Sequence, residues 1–444
     1  MNFFVDKQGG GFASTLVAFG WAKIVSQVAA DCYGAEAYSL RLQDCGLYYH
    51  LSCSPALTKQ DFLNLSYVLQ PAPMLRTVKN SATLPDPLVY NQFDYERGKE
   101  NNAAYFAFRK ANKDTAPDQM PPPPDPHWDT YRAINPAALP GYNNLLLSWN
   151  EAAQSNQEAV LGLLFDLFST APNDVDSAWE QWAKLDKQHK WGISPGAGAS
   201  QLYNPDQGKG LNRSKISTIA LVNMDNFWLL EVLKASGFFE GAITRLVKGA
   251  KDRKTYVLAP QDIDYADHQT IMASFRETMQ VSRASISSDI LAAILYTESL
   301  LTYAQQRASF KDRLLKKRRP RDLVNGFHTA FYKDLGNAVA TMNLAFIGLP
   351  AWIQTSDSAS LQEAKEALDE IKRLTYGIDE DKGDGYTLLF ALRDFVSGGD
   401  LNRFFDFTTA YASYWMGRRE RGKYAHQLST PFIETVVLGS QEES

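Results

Sequence analysis

Apolar residues recur at helical spacing along most of this chain, and the interruptions mark its strands and loops. The apolar run Phe12–Ala22, continuing to about Ala30, predicts a buried N-terminal helix. Tyr38–Ser52 alternates as a hairpin does: Leu40 and Leu42, a turn at Asp44-Cys45-Gly46, then Tyr48 and His50. Residues Asn144–Phe168 and Asp176–Lys190 read as helices, and Ile193–Ser200 with its PGAG run reads as a loop. Between Asp225 and Phe239, Phe227, Leu230, Leu233 and Phe238 fall near helical spacing, with Gly237 as the expected stop. Thr255-Tyr256-Val257-Leu258 is β-prone and closed by Pro260. Tyr265–Phe310 is helical in pattern, with Ile290, Leu291, Ile294, Leu295 and Leu301 as a core stripe. Beyond Arg321 the pattern is helical throughout, including Ser360–Tyr376 and a helix capped by Asp400 that carries Phe404, Phe407, Tyr411 and Trp415.

These elements predict an α+β protein with a mixed, largely helical N-terminal body (1–321) and a C-terminal α-helical bundle (322–444). The Pro-rich stretch 117–126 cannot join a helix or a central strand and is expected to be an exposed loop. Asn91–Lys113 interleaves charge with Phe93, Tyr95, Tyr105, Phe106 and Phe108. A helix burying its aromatic face is favoured there over a grip on nucleic acid.

Charge refines this picture. The chain carries -5 overall and -7 beyond Arg321, hence +2 before it. Positive charge concentrates in three places before residue 322 and again in a late patch at Arg418, Arg419, Arg421 and Lys423. Lys209, Arg213 and Lys215 lie in a loop with Asn204, Gln207 and Asn212. Lys248, Lys251, Arg253 and Lys254 follow the 225–239 helix, and Lys316, Lys317, Arg318 and Arg319 sit in a run of eight cations with one acid, residues 307–321. Cationic turns in an acidic chain fit phosphate contacts, and Asn and Gln beside them fit base edges.

Enzyme chemistry finds little foothold. There is no H-E-x-x-H and no G-x-S-x-G, and Gly383 and Asp384 spoil the calcium-loop register of Asp379–Gly385. Asp262 and Asp264 read as a solvated turn rather than a magnesium site. Cys32, Cys45 and Cys53, with His50, lack the paired spacing of structural zinc. No catalytic residue, metal or cofactor is expected. An odd cysteine count and a leader that Asp6 and Lys7 leave without net positive charge fit a cytoplasmic protein without membrane association.

The Asn204–Arg213 loop, the Asp225–Gly237 helix, KDRKTYVLAP (Lys251–Pro260) and LLFALRDFVSGGDLNRFFDFTTAYASYW (Leu388–Trp415) together resemble the large subunit of type I CRISPR surveillance complexes, usually called Cascade. These blocks cover under a fifth of the chain. The resemblance implies a non-catalytic subunit that recognises the motif flanking the target (PAM) in double-stranded DNA and supports R-loop formation. It also implies guide RNA, target DNA, and backbone, guide-end-capping and small subunits as partners, with a helicase-nuclease or transposition proteins recruited later. The alternative from the residues alone is a helical scaffold in a multiprotein assembly that does not contact nucleic acid.

Overall fold

In the computed structural model, residues 1–7, 11–112, 120–136, 138–207, 225–247, 251–280, 285–334 and 339–441 are described. The fold is mixed α+β and mostly helical, as the pattern predicts. Two compact units divide it: 1–41, 45–244 and 332–342 form the first, and 42–44, 245–331 and 343–444 the second. Neither edge falls at the 321/322 boundary expected from sequence.

Unit 1 begins with strand β1 (Asn2–Asp6) and helix α1 (Ala13–Tyr33). Strands β2 (Ser39–Asp44) and β3 (Tyr48–Ser54) follow as the expected hairpin, and β3 pairs antiparallel with β1. After α2 (Lys59–Leu63), the short strands β4 (Met74–Arg76) and β5 (Gln92–Asp94) pair in parallel. Helices α3 (Tyr95–Ala111), α4 (Trp128–Ile134), α5 (Leu139–Phe168) and α6 (Val175–His189) lead to the paired strands β6 (Gly196–Gly198) and β7 (Asp225–Phe227). Helix α7 (Trp228–Gly241) closes the unit.

The helix α1 is apolar around nearly its whole circumference, which demands burial on all sides. It is long and apolar enough to cross a membrane by length and composition, and 83% of that window is buried within the fold. One flank meets an aromatic cluster in which Trp21 lies 5.4 Å from Phe3, 5.5 Å from Phe62 and 5.0 Å from Phe168, centroid to centroid. The other flank packs on α7, backbone against backbone. A Cβ on Gly20 would stand 2.0 Å from the Leu233 carbonyl oxygen, and one on Gly237 would stand 1.9 Å from that of Leu16. Gly237 is therefore no helix stop. It lies inside α7, where the absence of a side chain permits the close approach. Lys23 on α1 and Glu240 on α7 close this seam with a 3.0 Å ion pair.

The expectation of a buried aromatic face on α3 fails, because none of its residues is buried. Phe93 and Tyr95 at its start pack on Tyr131 and Trp128, at 3.7 Å and 5.2 Å, whereas Tyr105 and Phe106 pair edge-to-face further along the helix. The described part of the Pro-rich stretch, 120–126, has no regular structure, as expected.

Unit 2 holds strands β9 (Arg253–Pro260) and β10 (Asp262–Asp264) and most of β11 (Val324–Asp334) and β12 (Val339–Gly348), while β8 (Ala242–Leu246) enters it from residue 245 on. Four of them form a sheet in the order β12-β11-β9-β8. The two strands within 324–348 correct the expectation that everything beyond Arg321 is helical. The helices are α8 (Tyr265–Thr278), α9 (Ser285–Gln306), α10 (Ala308–Lys317), α11 (Ser358–Gly377), α12 (Gly383–Gly398), α13 (Leu401–Glu420) and α14 (Thr430–Gln441). The helix α9 is the hub: α8, α10, α11 and α12 all pack on it, and the predicted stripe Ile290, Leu291, Ile294, Leu295 and Leu301 is buried. Its first backbone donors are capped from afar by Glu380, which accepts from Ile286 N at 3.0 Å and Ser287 N at 2.8 Å. A carboxylate there satisfies orphan donors and complements the helix dipole. Asp400 caps α13 as predicted, accepting from Asn402 N at 2.9 Å.

Two outcomes test this architecture. Helix propensity alone favours Ala over Gly by about 1 kcal/mol, so Gly20→Ala or Gly237→Ala would stabilise a loosely packed pair. The close approach predicts the opposite sign, a loss of about 3 kcal/mol, read by chemical denaturation. Cys32 and Cys45 are exposed, whereas Cys53 is buried and burial pushes its thiol up to about 11. Alkylation at pH 8 is expected to modify two cysteines rapidly and Cys53 only after unfolding.

Candidate nucleic-acid interface

The expected interface residues fall into three groups, which the fold treats differently. Lys209, Asn212, Arg213, Lys215 and Lys248 lie outside the described residues.

Asn204 and Gln207 stand just before the segment 208–224, and Asn226 just after it. Asn204 is wholly buried, and its amide is consumed inside the protein. Its Nδ2 donates to both oxygens of Glu231 at 3.1 Å and 3.0 Å, and its Oδ1 accepts from Lys234 Nζ at 2.7 Å. Glu231 and Lys234, one turn apart on α7, form a buried ion pair at 2.7 Å. Asn226 Nδ2 donates to Glu231 Oε1 at 2.8 Å and to Gln207 Oε1 at 3.2 Å. This arrangement corrects the expectation for Asn204: a base edge cannot reach an amide whose hydrogen-bonding capacity is spent in the core. Asn204 instead ties the chain ahead of residue 208 to α7, and Gln207, half-buried, is held to Asn226 on the other side.

The second group belongs to β9. Lys251 is exposed and Arg253 half-exposed, but Lys254 points inward. Its ammonium sits 2.6 Å from the carboxylate of Asp289 on α9, which also accepts from the Tyr256 hydroxyl at 3.0 Å. Burial pushes the Asp289 carboxyl above its usual range, and the Lys254 charge beside it pulls the other way. Lys254 thus neutralises a core carboxylate rather than a phosphate, which corrects its assignment to the interface.

The third group caps the C-terminal end of α10. Lys316, Lys317 and Arg318 are exposed and Arg319 is half-exposed. Lys317 spends part of its charge on Asp262, 2.8 Å away. Asp262 is therefore buried and paired rather than part of a solvated turn, while Asp264 caps α8 by accepting from Ala266 N at 3.0 Å. Lys316 and Arg318 have no ion-pair partner among the described residues. Arg318 occupies the left-handed region, with φ 69°, and its carbonyl accepts from both Thr355 N (2.7 Å) and Thr355 Oγ1 (3.0 Å). The backbone of this turn is pinned while its side chains project outward. Cations also complement the partial negative charge of a helix C-terminus, which favours Lys316 and Lys317 in the last turn of α10.

The second and third groups lie at opposite ends of β9. Asp262, and with it Lys317, stands two residues past the strand's last residue, whereas Lys251 precedes its first. Eight extended residues separate the two by roughly 25 Å. A duplex presents a phosphate every few ångströms, so separate phosphates could occupy the two ends at once.

Sequence reasoning gave all clustered cations equal weight, and the missing signal was the acid that each one meets. Glu231 and Asp289 are 27 and 35 residues from Asn204 and Lys254, too far for any local pattern to pair them. No family model matches the chain, and no curated protein matches it.

The electrostatics separate Lys254 from Lys251 experimentally. Lys254→Met leaves a buried carboxylate without its cation and is expected to cost about 3 kcal/mol in urea unfolding. Lys251→Met is expected to fall within about 0.5 kcal/mol of the parent.

Proposed function

We propose that this chain is a non-catalytic large subunit of an RNA-guided CRISPR surveillance complex, in which it recognises the motif flanking the target in double-stranded DNA and supports R-loop formation. The observation that carries this reading is the cationic ridge at the end of α10: exposed Lys316, Lys317 and Arg318 on a backbone turn fixed by Thr355. In such a complex the guide reads most of the target by base pairing. The protein supplies backbone charge and a short groove readout. The ridge and the Lys251–Arg253 end of β9 supply the charge in this proposal, and Gln207 remains the candidate at the groove. Guide RNA, target DNA and the backbone, guide-end-capping and small subunits are the proposed partners, with a helicase-nuclease or transposition proteins arriving later.

A second reading, a helical scaffold without nucleic-acid contact, draws on one observation. Tyr386 and Phe390 on α12 and Phe405 and Met416 on α13 are 51%, 41%, 51% and 52% exposed, which suits docking against other protein subunits.

The two readings part on salt dependence. Arg318→Gly suits a left-handed position, so the double variant Lys316→Ala/Arg318→Gly is expected to fold as the parent does. If both cations hold phosphates, log K for duplex DNA against log salt loses about 1.8 from its slope. An unchanged slope removes the ridge from the interface.

A further inference from the structure

The 17 residues of α3 form a helix in which none is buried. A surface helix ordinarily draws its stability from an apolar face packed on the fold or from ion pairs along its length. In α3 the packing is confined to the start. Phe93, just before the helix, and Tyr95 meet Tyr131 and Trp128, and a Cβ on Gly98 would stand 2.4 Å from the Phe93 ring. Asp94 caps the first turn by accepting from Arg97 N at 3.1 Å. Beyond Gly98, the charged side chains Lys99, Glu100, Arg109 and Lys110 have no ion-pair partner among the described residues.

One side of this helix has a consistent character. With about 3.6 residues per turn, Lys99, Asn102, Phe106, Arg109 and Lys110 fall within an arc of about 100°. Both acids of α3, Glu96 and Glu100, lie outside that arc. Lys99, Arg109 and Lys110 are exposed, Asn102 is half-buried, and Phe106 is 42% exposed. Tyr105 borders the arc, where its ring meets Phe106 edge-on at 5.4 Å and lies 5.9 Å from the Arg109 guanidinium. The face thus presents an aromatic ring to solvent, braced by a second ring and flanked by three cations.

We propose that this face of α3 binds a single strand of nucleic acid, with a base stacked on Phe106 and neighbouring phosphates on Lys99, Arg109 and Lys110. Three cations with no acid between them call for an anionic partner. A protein seated on the helix would have to strip water from them, and lysines are sparse at the centres of protein interfaces. A single strand supplies charge and flat rings together, whereas a duplex keeps its base faces stacked inside. Asn102, one turn before Phe106, adds a donor and an acceptor for the edge of the stacked base. The inference goes beyond the duplex contacts assigned to the ridge, and only its place in a guide complex rests on that reading.

The full chain is titrated by anisotropy with a labelled single-stranded DNA, its abasic counterpart and a duplex. RNA of the same sequence is titrated alongside, and the tighter strand identifies the source. Phe106→Ala and the double variant Arg109→Ala/Lys110→Ala change exposed side chains to a strong helix former, so both are expected to melt with the parent. Phe106→Ala is expected to weaken the base-bearing strand about tenfold and to leave the abasic strand unchanged, while Phe106→Tyr keeps the ring and the affinity. The double variant is expected to take about 1.4 from the slope of log K against log salt on single strands. If no single strand binds, or if neither variant changes strand binding, the α3 site is overturned. Duplex binding then decides whether the ridge reading stands or falls with it. An equal loss on base-bearing and abasic strands overturns the stacking on Phe106. Release of a co-purifying protein by the variants, with strand binding unchanged, gives α3 a protein partner and overturns the proposal.

Discussion

The approach of α1 and α7 at Gly20 and Gly237 sets the rest of unit 1. Two helices can bring carbonyl oxygens to the positions where side chains would begin only if no side chain is there. From this seam the neighbouring loop is gripped twice, because Lys23 on α1 and Ser236 on α7 both donate to the Pro71 carbonyl, at 2.9 Å and 2.8 Å. The same placement of α7 fixes Glu231 and Lys234, which hold Asn204 and Asn226. Packing at two glycines thus reaches the polar network through one rigid helix.

Unit 2 answers to a different constraint. Its hub α9 carries Asp289, a carboxylate 1% exposed that must be neutralised within the core. Lys254 from β9 does so, and the Tyr256 hydroxyl donates to the same carboxylate. Buried pairs of this kind add little net stability compared with apolar packing, but they punish any arrangement that separates the partners. The strand's cations are therefore divided by position. Lys254 serves the core, and Lys251 and Arg253 stay toward solvent. The α10 ridge meets the opposite requirement, with its backbone pinned and Lys316 and Arg318 without an ion-pair partner among the described residues. This contrast between committed and uncommitted charge is the basis for placing an anionic partner at the ridge.

Much of the fold was legible because its signals are local. The α1 run, the hairpin around Gly46, the α9 stripe and the Asp400 cap each depend on residues within a few positions of one another. Strands β11 and β12 were hidden because VNGFHTAFYKD and VATMNLAFIG mix apolar and polar positions on both faces, and five consecutive β12 residues, Met342–Phe346, are exposed. Gly237 was misread because an interior glycine and a terminal one look alike until the neighbouring backbone is known. The α3 aromatics were expected to form a buried face, yet only those at its start pack on another element, at Tyr131 and Trp128. The cationic turns were legible as composition, but their division into buried and exposed members depended on Glu231 and Asp289.

The central proposal is that this chain is a subunit of an RNA-guided complex. The most direct measurement is to purify the tagged chain from its native host with its partners and to sequence the RNA that accompanies it. The account predicts enrichment of short repeat–spacer RNAs that survive a low-salt wash. A preparation free of RNA and accompanied only by unrelated proteins would contradict it.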